Sequence, residues 1–127
     1  MEVFTPLDKN FNYLEAKALY KLNESKVQDI SDFDKILQTT LFYSFYTKDN
    51  GFVGCLYFYQ DNEGKLFVNG FANRKKHLAC IAALRRSFNW FNCDIYARTP
   101  HRAAAICLLR AGFKKVGDKL YIKKKGE

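Results

Sequence analysis

Two prolines in 127 residues leave most of the chain free to run as helix or strand. Two histidines, His77 and His101, supply too few ligands for a metal site, so none is expected. The cysteines Cys55, Cys80, Cys93 and Cys107 show no C-x-x-C spacing, which excludes the usual zinc and dithiol motifs. No apolar run approaches the roughly 18 residues of a membrane-spanning helix, so no membrane partner is expected. The opening MEVFTPLDKN has no basic stretch followed by an apolar one, so a secretory signal is not expected and a cytoplasmic setting is. In that setting the cysteines read as reduced thiols, four small buried hydrophobes. Internal repeats and low-complexity linkers are missing too.

What is present is a hydrophobic content of 48% with 17% aromatic residues, enough for one packed domain over residues 1–127. The formal charge of +8 is unevenly spread. Residues 1–64 hold 6 Lys/Arg against 10 Asp/Glu, whereas residues 65–127 hold 15 against 3, a net of +12. The second half therefore suits an anionic partner: a phosphorylated cofactor, a nucleic acid or an acidic protein.

Along the chain, EVFTP (2–6) suits a short strand. Residues 8–23 place Phe11, Leu14, Ala18 and Leu22 at helical spacing, with Asp8 as N-cap. A second helix follows, with Ile30, Phe33, Ile36 and Leu37 on one face and Ser31 and Asp34 as its start signal. The period then switches. Three aromatic and β-branched runs, 39–47, 52–60 and 65–72, are joined by the turns KDNG and DNEG and read as an antiparallel meander. A third helix carries Leu78, Ile81, Ala82, Leu84 and Phe88 inward and Arg85 and Arg86 outward. CDIYAR (93–98) is a strand. Thr99-Pro100 opens a fourth helix as N-cap and first residue, and Gly112 ends it. Two short strands around a Gly-Asp turn finish the chain. The order β-α-α-β-β-β-α-β-α-β-β is a mixed α/β sheet with helices on both faces.

Two stretches carry chemistry. One is Arg74-Lys75-Lys76-His77-Leu78-Ala79, between a strand and a helix. A helix N-terminus offers unpaired N–H groups and the positive end of its dipole, and neighbouring cations grip phosphate. The other is HRAAAICLLRAGF (101–113). Together with the element order, both resemble the GNAT (Gcn5-related N-acetyltransferase) family over nearly the whole chain. The family's loop of type R/Q-x-x-G-x-G/A matches at Arg74 and Ala79, with His77 in the first glycine's place. Its segment N-x-x-A-x-x-L-Y-x-x-x-G-F matches at Ala104 and Gly112-Phe113, with His101, Cys107 and Leu108 in the asparagine, leucine and tyrosine places.

The resemblance implies acetyl-coenzyme A as co-substrate, with its pyrophosphate on Phe71, Ala72 and the loop Arg74, Lys75, Lys76, His77, Leu78 and Ala79. It also implies a small-molecule or protein amine as acceptor. Acetyl transfer needs a base and an oxyanion donor. Leu108, in the tyrosine place, has no proton to give, so the catalytic candidates are His101, Tyr57 and Asn69. Cys107 falls on the apolar face of its helix and reads as core. The chain is also similar to small acetyltransferase-like proteins of tailed phages, some linked to head assembly, which implies a degenerate binding or assembly protein with a protein partner as the second class. Nucleic-acid binding is the third class: the +12 half and the aromatics permit it, but no known binding motif is present. The last strands and an exposed sheet edge leave room for an oligomer.

Overall fold

The structure is a computed structural model and describes residues 1–27 and 32–127, with Arg74 described by its backbone alone. Its elements are β1 (Glu2–Phe4), α1 (Tyr13–Asn23), α2 (Phe33–Thr39), β2 (Leu41–Thr47), β3 (Gly51–Gln60), β4 (Leu66–Ala72), α3 (His77–Ser87), β5 (Ile95–Arg98), α4 (Arg102–Ala111), β6 (Lys114–Gly117) and β7 (Leu120–Lys123). This is the order the sequence predicts. The strands form one sheet in the order β1-β2-β3-β4-β5-β7-β6. All neighbours are antiparallel except β4 and β5.

The meander follows from its turns. Gly51 (φ 63°) and Gly64 (φ 80°) take the left-handed backbone that closes them. Asp61 locks the second turn by accepting from the backbone of Glu63 and Lys65. β3 and β4 approach so closely that a Cβ on Gly54 would stand 2.7 Å from the Phe71 carbonyl. The final turn places its positive φ on Lys119 (57°), one residue beyond the Gly-Asp pair expected to form it.

Alternation along the strands sends side chains to two cores. On one face α1 and α2 cover Phe42, Cys55, Tyr57 and Phe71 with Ala16, Tyr20, Phe33 and Ile36. On the other, α3 and α4 cover Phe58, Val68, Ile95 and Tyr121 with Leu84, Leu108 and Ala111.

Several helix expectations need correction. Asn12, not Asp8, caps α1, accepting from the Glu15 N–H at 3.1 Å; Asp8 instead closes a turn on the Thr5 N–H at 2.7 Å. Starting later, α1 buries Ala16, Leu19 and Tyr20, while Leu14 and Leu22 are 76% and 82% exposed. Both sets have helical spacing, and the aromatic sheet takes the one carrying a tyrosine ring. α2 buries Phe33 and Ile36, as expected, while its N-cap is Asp32, a residue the expected start signal of Ser31 and Asp34 did not include; Ile30 and Ser31 lie outside the described residues. α3 turns Leu78 and Ala82 outward and buries Ala83, Leu84 and Ser87. Thr99 does not cap α4. Its hydroxyl accepts the His101 N–H at 3.1 Å in a short turn, so Pro100 precedes the helix and His101 holds the N-cap position. Gly112 (φ 111°) closes α4, and the Phe113 N–H returns to the Leu108 carbonyl at 3.0 Å.

The cysteines also differ from the four buried hydrophobes expected. Cys55 is buried, Cys80 and Cys107 are half-buried, and Cys93 is exposed.

Candidate active site

The one parallel strand pair among the described residues creates the site. β4 and β5 pair at Leu66↔Ile95 and Phe67↔Tyr96, and no further pair joins them among the described residues. β5 follows β7 instead, up to Arg98↔Leu120. The later half of β4 (68–72) therefore faces an opening between the strands. α3 and α4 both begin just beyond the carboxyl ends of these strands and pack on the same face. Such a crevice beside the carboxyl ends of parallel strands is where open α/β sheets take ligands.

The β4–α3 loop forms the mouth. Asn73 starts it: its own N–H reaches the Val53 carbonyl at 3.2 Å, its side chain accepts the Lys75 N–H at 3.0 Å and its carbonyl accepts the Lys76 N–H at 3.0 Å. A one-turn 3-10 helix, Arg74–Lys76, runs directly into α3 with His77 as its C-cap, and the N–H groups of Leu78 and Ala79 have no partner one turn back within α3. No acidic residue stands in that first turn. Lys75, His77 and Leu78 are exposed; Ala79 is half-buried.

Lys76 behaves differently from its neighbours. Its ammonium turns back to the β2–β3 hairpin, donating to the Phe52 carbonyl at 3.0 Å and to the Asn50 carbonyl. It thus ties the loop to the adjacent turn. No sequence signal marks this tether, because its partners lie more than twenty positions away. Asn73, which the sequence reading passed over, does carry a signal: asparagine is a common turn-capping residue at a strand–helix junction.

Phe71 is 4% exposed, and its ring sits in the α1–α2 core; Ala72 is half-buried opposite Gly54. Asn69 is half-buried on β4, and its side-chain oxygen accepts the Gly70 N–H at 2.8 Å. Tyr57 lies opposite Asn69 on β3, fully buried beside the rings of Phe42, Tyr59 and Phe71. His101 stands at the head of α4, half-buried; its ring Nε2 is buried with no hydrogen-bond partner among the described residues. Leu108, in contrast, is 8% exposed and packs in the α3–α4 core.

The thiols nearby are poor nucleophiles. Burial pushes Cys80 up to about 11 and raises Cys107 as well, so both stay protonated at neutral pH. No group of three or more His, Cys, Asp or Glu suited to a metal ion occurs among the described residues. No helix there is long and apolar enough to cross a membrane.

No protein-family model and no curated protein sequence matches the chain. Solved structures do. An N-acetyltransferase from Staphylococcus aureus Mu50 superposes with a TM-score of 0.66 at 15% identity, covering 97% of this chain and 93% of that one. An acetyltransferase from Bacillus subtilis in complex with CoA gives 0.59 at 11% identity, over 91% and 78% of the two chains. A mutant spermidine N-acetyltransferase from Vibrio cholerae gives 0.59 at 10% identity, over 96% and 92%. The seven-stranded sheet with its parallel β4–β5 pair is the GNAT N-acetyltransferase fold.

Proposed function

We propose that the protein is an N-acetyltransferase that takes acetyl-coenzyme A and an amine acceptor at the β4–β5 opening. The observation that carries this reading is the placement of the cationic loop and the α3 N-terminus at the mouth of that opening. The fit to coenzyme A rests on the same residues. The Leu78 and Ala79 N–H groups at the start of α3 suit a pyrophosphate, Lys75 is exposed beside them, and no acidic residue stands in that first turn. His77 points into solvent and leaves the helix end open.

In the reaction, the amine nitrogen attacks the thioester carbonyl, a C–N bond forms, the C–S bond breaks and the ammonium proton goes to a base. His101 supplies that base in this reading, through its unpartnered Nε2. Asn69 would free the Gly70 N–H by rotating its amide, and that N–H would then face the developing oxyanion. With Leu108 in the core, the leaving thiolate takes its proton from water.

Calorimetric titration of acetyl-coenzyme A, followed by a screen of small amines including a polyamine, tests the reading. Saturable binding and a coenzyme A product are expected, and His101→Ala should lower kcat about 100-fold or more. Absence of binding at millimolar ligand would overturn it. The same leucine favours a second reading, a binding protein of this fold without catalysis: coenzyme A binds, no amine is acetylated, and His101→Ala changes nothing.

A further inference from the structure

Resting on the acetyltransferase reading above, we propose that Arg98 holds a carboxylate of the acceptor, so that the amine substrate is a free α-amino acid. β5 ends at Arg98. Ile95 and Ala97 belong to the α3–α4 core, so Tyr96 and Arg98 face the α1–α2 side of the sheet. On β4, Phe67 and Asn69 share that side with Phe71, whose ring sits in the α1–α2 core. The last parallel pair among the described residues is Phe67↔Tyr96. Asn69 and Arg98 each lie two residues beyond it, so they stand level on the two sides of the opening.

The Arg98 side chain crosses that gap. Its guanidinium carbon lies 5.1 Å from the centre of the Phe67 ring, while the residue as a whole is exposed. Phe67 is buried, so its ring is a fixed platform. A guanidinium laid on a ring keeps its in-plane N–H fork for a carboxylate. No carboxylate of the chain takes it: the ion pairs among the described residues are Lys21–Glu24, Lys65–Glu63 and Lys114–Glu127. The acids of α1 and α2 have other partners. Glu15 accepts from the Tyr46 hydroxyl, Asp34 from the Tyr13 hydroxyl, and Asp32 caps α2. Asp118, in the turn before Leu120, is exposed and forms no ion pair among the described residues.

Distances favour a short acceptor. At about 3.3 Å per residue, Asn69 lies about 7 Å beyond Phe67 along β4. A charge-assisted hydrogen bond of about 2.8 Å and the two backbone-type bonds of about 1.5 Å between a carboxyl carbon and an α-amine together span about 6 Å. The amine then arrives level with Asn69 and Gly70, where the oxyanion is placed above. A polyamine brings Arg98 only like charge. The coenzyme pyrophosphate does not account for Arg98 either, because Ala72, before the β4–α3 loop, is roughly 17 Å from Phe67 along the strand.

The test measures coenzyme A release with the common L-amino acids, their carboxamides and spermidine as acceptors. The best amino acid should exceed its own carboxamide at least about 30-fold in kcat/KM, and spermidine by more. Arg98→Gln should bring that ratio below about 3 by raising the KM of the amino acid, and Arg98→Lys, which keeps the charge and loses the fork, should fall between. Calorimetric titration of the same acid and amide into the chain saturated with coenzyme A reads the preference without turnover, and the same ordering is expected. A ratio near one in both measurements, a preference for spermidine, or a ratio that Arg98→Gln leaves intact overturns the proposal while leaving the acetyltransferase reading standing. Failure of coenzyme A itself to bind would overturn both.

Discussion

Replacing Lys76 with methionine separates two roles that its position in the cationic loop confuses. The structure has its ammonium donating to the Asn50 and Phe52 carbonyls, not standing free in the mouth of the opening. A charge-assisted hydrogen bond contributes about 1.5–3 kcal/mol when well shielded. This one is partly exposed, so about 1 kcal/mol is the fair figure for the tether. At about 3–6 °C per kcal/mol for a chain of this size, Lys76→Met should lower Tm by about that amount. Methionine keeps the apolar stem, so lost packing contributes little. Lys75→Ala, at an exposed position without such a tether, should leave Tm within about 1 °C and weaken acetyl-coenzyme A about fivefold, the effect of one exposed charge on a phosphate. Differential scanning fluorimetry and calorimetric titration on both variants give the answer. If Lys76→Met leaves Tm unchanged and abolishes coenzyme binding, the ammonium belongs to the ligand and the tether argument fails.

Leu108→Tyr should not install a thiolate acid: the site is in the α3–α4 core, and overpacking should cost about 1–3 kcal/mol, seen as a lower denaturant midpoint with no gain in kcat. Gly70→Ala should destabilise by a similar amount, because a Cβ there collides with the Cys55 carbonyl and comes within 2.9 Å of Leu56 Cδ2; circular dichroism melts would show it. Thiol titration at pH 8 should modify Cys93 first and Cys55 only on unfolding. Because burial raises Cys80 to about 11 in the folded chain from an ordinary 9.0, the folded state holds that proton more tightly. Its contribution is therefore full below about pH 9 and lost between pH 9 and 11, and Cys80→Ala should flatten the alkaline fall of Tm across that window.

The strand order was legible because turns and period both change sharply in the chain. Gly51 and Gly64 punctuate aromatic runs, and nothing else competes for those segments. Helix faces were less legible where two apolar stripes coexist. On α1, Leu14 and Leu22 are as hydrophobic as Leu19, and only the aromatic floor of the sheet chooses between them. Helix starts failed for a related reason: Asp8 and Thr99 are good caps that the chain spends on local turns, so Asn12 and His101 hold the cap positions instead. At the site, the loop's place beside a helix N-terminus could be read from the order of elements. The direction of Lys76 could not, because it depends on a hairpin folded in from 24 positions away.

The charge asymmetry needs the same care. A net of +12 over residues 65–127 suggests one anionic partner, yet the fold divides those cations between two ends of the sheet. The loop cations sit at the start of α3, whereas Arg85, Arg86 and Arg110 sit in the last turns of α3 and α4. Cations at helix C-termini are stabilised by the dipole whether or not a ligand is present. Arg85 shows this directly, donating to the Arg110 carbonyl at 2.8 Å. Charge that the helices themselves favour is weak evidence of a partner. Lys124 and Lys125 lie beyond the last strand, exposed and capping no helix, so no dipole accounts for them and solvation alone suffices.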